Sequence, residues 1–201
     1  MDGIDSYLDR LASADPTPGV GSAATLAGAL GAALVAMVAR ITAGKRRHEG
    51  IRPEALALAA EADALRARFR AAQGVDEAAY GRVDEAAALP KRTWGEKSAR
   101  AAALQHALLD AAEAPLAASG LCAEGVELAA RANALGNLDL TSDVECALYL
   151  FRAALTACVA NVRINDREIT NDDVVGAHRE RLAAIVSSAT TTFEQLLPKA
   201  P

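Results

Sequence analysis

Between Asp15 and Arg40 the chain carries no charged residue, and the seventeen positions 23–39 are all Ala, Gly, Leu, Val, Met or Thr. A run of this length touches the lower limit for crossing a bilayer. Its composition points elsewhere, because Ala, Gly and Thr contribute little transfer free energy, no aromatic belt flanks the run and no second span follows. Helical spacing organises it. Ala24, Gly28, Ala32 and Ala36 form a ridge of small residues, with Leu26, Leu30, Leu34, Met37 and Ile41 as a bulky ridge beside it. With two apolar sides, the helix is expected to be buried in the middle of a bundle, where the small ridge lets another backbone approach closely. "PGVGSAAT" lacks the lysine and the preceding strand of a phosphate loop. Gly19 and Gly21 allow a sharp turn, Ser22 can cap the helix, and the exposed amides there suit a carboxylate or carbonyl.

The rest of the chain reads as helices around this spine. With 201 residues it can bury one sizeable core. Ala and Leu dominate its 52% apolar content, aromatics make up 3%, and alternating β-branched runs are rare. The expected fold is all-α: a single-domain helical bundle over residues 1–201 with a central Ala/Gly-rich buried helix. Eight helices are expected, at about 5–13, 22–42, 53–72, 76–88, 93–119, 124–135, 142–162 and 172–197. Gly74 separates the third from the fourth, and Pro115 falls inside the fifth. Thr93 with Glu96 and Ser142 with Glu145 have capping-box spacing, and Thr170 is positioned to cap the last helix.

A net charge of −5 argues against nucleic acid as the main partner, since phosphate-backbone binders carry a basic face. Cys122, Cys146 and Cys158 are odd in number, form no CxxC and sit in apolar helical patterns, which suits small buried hydrophobes in a reducing compartment. The first residues are acidic and do not resemble a secretory leader, so a cytoplasmic location is expected, with no membrane partner. His48, His106 and His178 show no metal-ligand spacing, and there is no dinucleotide fingerprint. Neither a metal nor a cofactor is expected.

Four landmarks stand in order: "PTPGVGS" followed by "AGALGAALVAMVARIT", then "VDEAAYGRVDEAAALPK", "GNLDLTSDV" and "ACVANVRIN". Together they resemble the formimidoyltetrahydrofolate cyclodeaminase and methenyltetrahydrofolate cyclohydrolase family. The resemblance implies an all-helical homodimer acting on one-carbon units carried by tetrahydrofolate. Two departures stand out. Val20 replaces a glycine of the family's Pro-Gly-Gly-Gly-Ser turn, and Asp166 and Arg167 replace Leu-Pro after Asn165. A positive φ at position 20 would strain a valine.

Methenyltetrahydrofolate holds its carbon between two nitrogens as a delocalised cation, so hydrolysis needs a base for water and groups that hold the tetrahedral oxygen. Asp143, in the family-like "TSDVE", is the first candidate for catalysis and Asp76 the second. Each also suits the start of a helix for its dipole alone. Asn161 and Asn165 can present amides to the pterin or the intermediate, or satisfy helix-end carbonyls. Lys91 and the cluster Lys45, Arg46 and Arg47 can pair with the glutamate tail, or simply be solvated. Tyr80 can stack on a flat ring or pack in the core. Gly19, Gly21, Ser22 and Ser142 complete the expected binding set.

The activity expected is hydrolysis of 5,10-methenyltetrahydrofolate to 10-formyltetrahydrofolate, with the tetrahydrofolate derivative as substrate and no further cofactor. The cyclodeaminase reaction is the alternative, ranked second because a stand-alone domain lacks the transferase found in fused enzymes. Val20 keeps open a third reading, a helical binding or assembly homologue without the reaction.

Overall fold

The apolar spine forms one helix, and its glycines are where neighbouring aromatics enter. The computed structural model describes residues 3–197. Its elements are α1 (Ile4–Leu11), α2 (Val20–Gly44), α3 (Arg52–Ala88), α4 (Trp94–Ala134), α5 (Thr141–Asp166) and α6 (Asp172–Leu196), with short 3-10 turns at Arg46–Ile51 and Leu138–Leu140. No strand occurs among the described residues. α2 lies against α3, α5 and α4, while α6 packs mainly on α4. A Cβ at Gly28 would stand 2.4 Å from the Phe69 ring of α3. One at Gly125 of α4 would stand 2.3 Å from Phe151 of α5. The two rings stack at the centre with centroids 6.3 Å apart. The small ridge therefore serves as a socket for a bulky core otherwise poor in aromatics.

The bulky ridge behaves differently from expectation. Leu30 is 46% exposed and Ile41 41% exposed, and Leu26, Leu34 and Met37 are only half-buried. α2 turns its small side and Val35, Val38 and Ala39 to the core, Leu34 and Met37 pack against that core at its margin, and Leu30 and Ile41 stay exposed. By length and composition α2 and the segment Leu138–Asp166 could each cross a membrane, but 61% and 44% of their most apolar windows are buried inside the protein.

Six α-helices replace the eight expected. α3 continues through Gly74 because Phe69 and Ala79 are buried on either side of it, and packing outweighs the roughly 1 kcal/mol propensity cost of glycine. α4 likewise runs through Pro115 and on past Ser119, joining two predicted helices. The Thr93 capping box forms as read, with Glu96 N–H donating to Thr93 Oγ1 at 3.1 Å and Thr93 N–H to Glu96 Oε2 at 2.8 Å. The Ser142 box does not. The 3-10 turn before α5 feeds into it at Thr141, so Ser142 already lies inside the first turn and Leu140 is the cap residue, without a side-chain bond. At α6 the capping oxygen belongs to Asn171, not Thr170. Cys122 and Cys158 are buried as expected; Cys146 is exposed.

Candidate active site

The first turn of α2, the middle of α3 and the last turns of α5 meet at one end of the bundle. Gly19 is the extended N-cap residue of α2, Val20 begins the helix, and no described non-glycine residue has a positive φ. Val20 is therefore unstrained. Glycine is required one step later: a Cβ at Gly21 would lie 2.2 Å from the Asp76 carboxyl group, which α3 lays directly on the α2 backbone. Asn161 of α5 donates from Nδ2 to Asp76 Oδ1 at 3.1 Å. Asn165, one turn on, donates from Nδ2 to the Ala111 carbonyl of α4 at 2.8 Å. Behind this wall the buried Ser22 Oγ accepts from Gln73 Nε2 at 2.8 Å and bonds Tyr7 OH at 3.0 Å, tying α1 and α3 to the glycine turn.

These groups line a cleft of about 420 Å³, with Tyr80, Asp84, Leu108 and Glu168 among its other walls. Burial pushes the Asp76 carboxyl above its usual range, the neighbouring Glu77 charge adds to the rise, and the Asn161 hydrogen bond opposes it. Asp76, Asp84 and Glu168 all face this space, and among the described residues no lysine or arginine lines it. The arrangement suits a cationic ligand with a flat polar edge, and provides one carboxylate withdrawn enough from water to trade a proton. A larger groove of about 930 Å³ lies between α5 and α6, but its walls hold none of these residues.

Residues 3–184 match the family described as formiminotransferase-cyclodeaminase. The chain belongs to this family. Formiminotransferase-cyclodeaminase family relatives include a methenyltetrahydrofolate cyclohydrolase of Methylorubrum extorquens, 34% identical over 96% of this chain and 93% of that protein. Another is the formimidoyltransferase-cyclodeaminase of Sus scrofa, 30% identical over 98% of this chain but only 36% of the longer protein. The solved formiminotetrahydrofolate cyclodeaminase of Thermotoga maritima superposes with a TM-score of 0.86 at 26% identity, covering 97% of this chain and 93% of that one.

Within this chain the expected site residues divide between two places. Gly19, Gly21, Asp76, Tyr80, Asn161 and Asn165 converge on the cleft. Ser22 stands just behind it with its hydroxyl engaged by Tyr7 and Gln73. Asp143 and Ser142 lie at the opposite end of α5, about 27 Å along the axis from Asn161, so within one chain Asp143 and Asp76 do not meet in one cleft. Lys45 is at that far end too, donating to Asn137 Oδ1 at 3.0 Å and paired with Asp139 at 2.6 Å. Arg47 joins the same two partners, and Asn137 itself donates to the buried Thr42. Lys91 is exposed in the α3–α4 connection, outside the cleft. Sequence reasoning missed Tyr7, Gln73 and Ala111, whose roles depend on long-range contacts. It also read Asp166 only as a departure, whereas Asp166 forms a buried pair with His178 at 2.7 Å that fastens α6 to the end of α5.

Proposed function

We propose that this chain is a methenyltetrahydrofolate cyclohydrolase, with Asp76 as the proton-transfer group. The observation that carries this reading is the withdrawn Asp76 carboxylate, seated on Gly21 in a cleft lined by carboxylates and, among the described residues, by no lysine or arginine. The methenyl substrate is a cation, and this cleft favours it electrostatically. Asp76 takes a proton from water as the water oxygen bonds to the one-carbon centre, giving a neutral tetrahedral adduct. The bond from carbon to N5 then breaks, N5 takes the proton from Asp76, and the remaining hydroxyl proton leaves to solvent as the formyl carbonyl forms on N10. Asn161 holds Asp76 in place by its amide. No cofactor beyond the folate enters this scheme. Loss of the methenyl absorbance on adding enzyme tests it; absence of turnover with a folded protein would refute it.

The cyclodeaminase reaction is supported by the raised Asp76, since a carboxyl that holds its proton longer suits protonation of departing ammonia. Supplying 5-formimidoyltetrahydrofolate separates the two, because that reaction creates the methenyl chromophore instead of consuming it.

The working unit of this reading is a cytoplasmic homodimer, with neither a membrane nor nucleic acid as partner. The exposed Leu30 and Ile41 on α2, flanked by the half-buried Leu34 and Met37, suit a second copy. The cleft end of α2 is acidic and its other end carries Lys45, Arg46 and Arg47. Two-fold pairing with α2 antiparallel sets each acidic end beside a basic one and brings the partner's far end, with its Asp143-bearing first turn of α5, toward the cleft. The three free cysteines agree with a reducing compartment.

A further inference from the structure

α4 passes unbroken through Pro115, whose side chain is fully buried. Proline has no N–H for the carbonyl four residues back, and its ring presses against that carbonyl. Ala111 thus loses its helical donor at a place half withdrawn from water, where an unmatched carbonyl is costly. Asn165 supplies the missing donor from another helix, 2.8 Å away.

This bond determines which way the Asn165 amide faces. A carbonyl only accepts, so the nitrogen must turn to Ala111. The oxygen is left with no partner among the described residues and is not sealed from the cleft that both residues line. Asn161 is held in the same sense, its nitrogen on Asp76 and its oxygen without a partner among the described residues. Two amide oxygens one turn apart on α5 therefore join Asp76, Asp84 and Glu168 as hydrogen-bond acceptors.

We propose that Pro115 is a specificity-determining positioning residue: by removing the helical donor of Ala111 it locks Asn165 with its oxygen available to the ligand, so the cleft selects a fused-ring edge rich in amino and ring N–H groups over one presenting carbonyl oxygen. The inference rests on reading this cleft as the folate site, and it identifies the edge of the ring that is held there.

The test compares wild type with Pro115→Ala, Asn165→Asp and the double variant. In Pro115→Ala the new N–H closes the helix bond to Ala111. Its thermal midpoint should stay level or rise, the Asn165 side-chain amide should lose protection in NMR hydrogen exchange, and tetrahydrofolate should bind about tenfold more weakly. The kcat for the methenyl substrate should stay within about threefold of wild type while KM rises. Asn165→Asp should lower the midpoint with Pro115 present, where a carboxylate oxygen meets the orphaned carbonyl, and much less in the Pro115→Ala background; this coupling would not arise from a merely structural proline. An equally protected Asn165 amide in Pro115→Ala, unchanged tetrahydrofolate affinity, or no coupling between the two positions would overturn the proposal. A wild-type protein that bound no tetrahydrofolate would remove the folate reading and the selectivity with it, while the exchange and coupling measurements would still decide the amide lock.

Discussion

An aspartate set on a glycine backbone with one amide for company is hard to keep ionised. Burial holds the Asp76 carboxyl above the ordinary aspartate range. The folded state then holds the proton more tightly, so the contribution of Asp76 to stability is greatest below the unfolded value and is lost as pH rises through the raised one. Asp76→Asn removes the charge and should raise the thermal midpoint at pH 7 while lowering turnover by about 100-fold or more. A lower midpoint together with full activity would dismiss Asp76 as the proton-transfer group. In the wild type, the acid limb of kcat/KM should lie above the ordinary carboxylate range. Gly21→Ala tests the same contact from the other side. Its methyl group would occupy the space of the Asp76 carboxyl, 2.2 Å away, so turnover should collapse even where circular dichroism shows an intact helical fold.

Elements in this protein are continuous because packing overrides local punctuation. Gly74 and the stretch after Ser119 read as breaks, yet α3 and α4 run through both. Where a glycine acts as a socket the consequence of filling it is large. Gly28→Leu must displace Phe69 from the centre of the core, at a cost of about 1–3 kcal/mol or more, visible as a lower denaturant midpoint. Helix caps give a finer comparison. Asn171→Ala should cost about 1 kcal/mol because its side chain accepts from the N–H groups of Asp173 and Val174. Ser142→Ala should stay within about 0.5 kcal/mol, since Ser142 is exposed inside the first turn of α5 and caps nothing. Equal losses at the two positions would contradict this assignment of caps.

At the scale of the whole molecule, the exposed Leu30 and Ile41 of α2 and the separation of Asp76 from Asp143 bear on one question. If the proposed homodimer pairs through this face, Leu30→Arg should give monomer in light scattering where the wild type gives dimer, because a charge in a two-fold apolar contact meets its own copy. If antiparallel pairing completes the cleft, mixing inactive Asp76→Asn with inactive Asp143→Asn subunits should restore roughly a quarter of wild-type activity, as half the dimers then hold one intact site. A mixture as inactive as its components would place the whole reaction on one chain. The sequence alone determined the helical class, the buried small ridge of α2 and the Thr93 cap, because helical periodicity and capping depend on residues within a few positions of one another. It also contained Gly19, Gly21, Asp76, Tyr80, Asn161 and Asn165, but not their union, nor the separation of Asp143, Ser142, Lys45 and Lys91 from them. Only the tertiary structure decided these matters. Tyr7 reaches Ser22, Asp76 rests on Gly21, and Asn165 serves the carbonyl that Pro115 orphans, and each contact depends on how two helices distant in sequence come together, which local spacing does not encode.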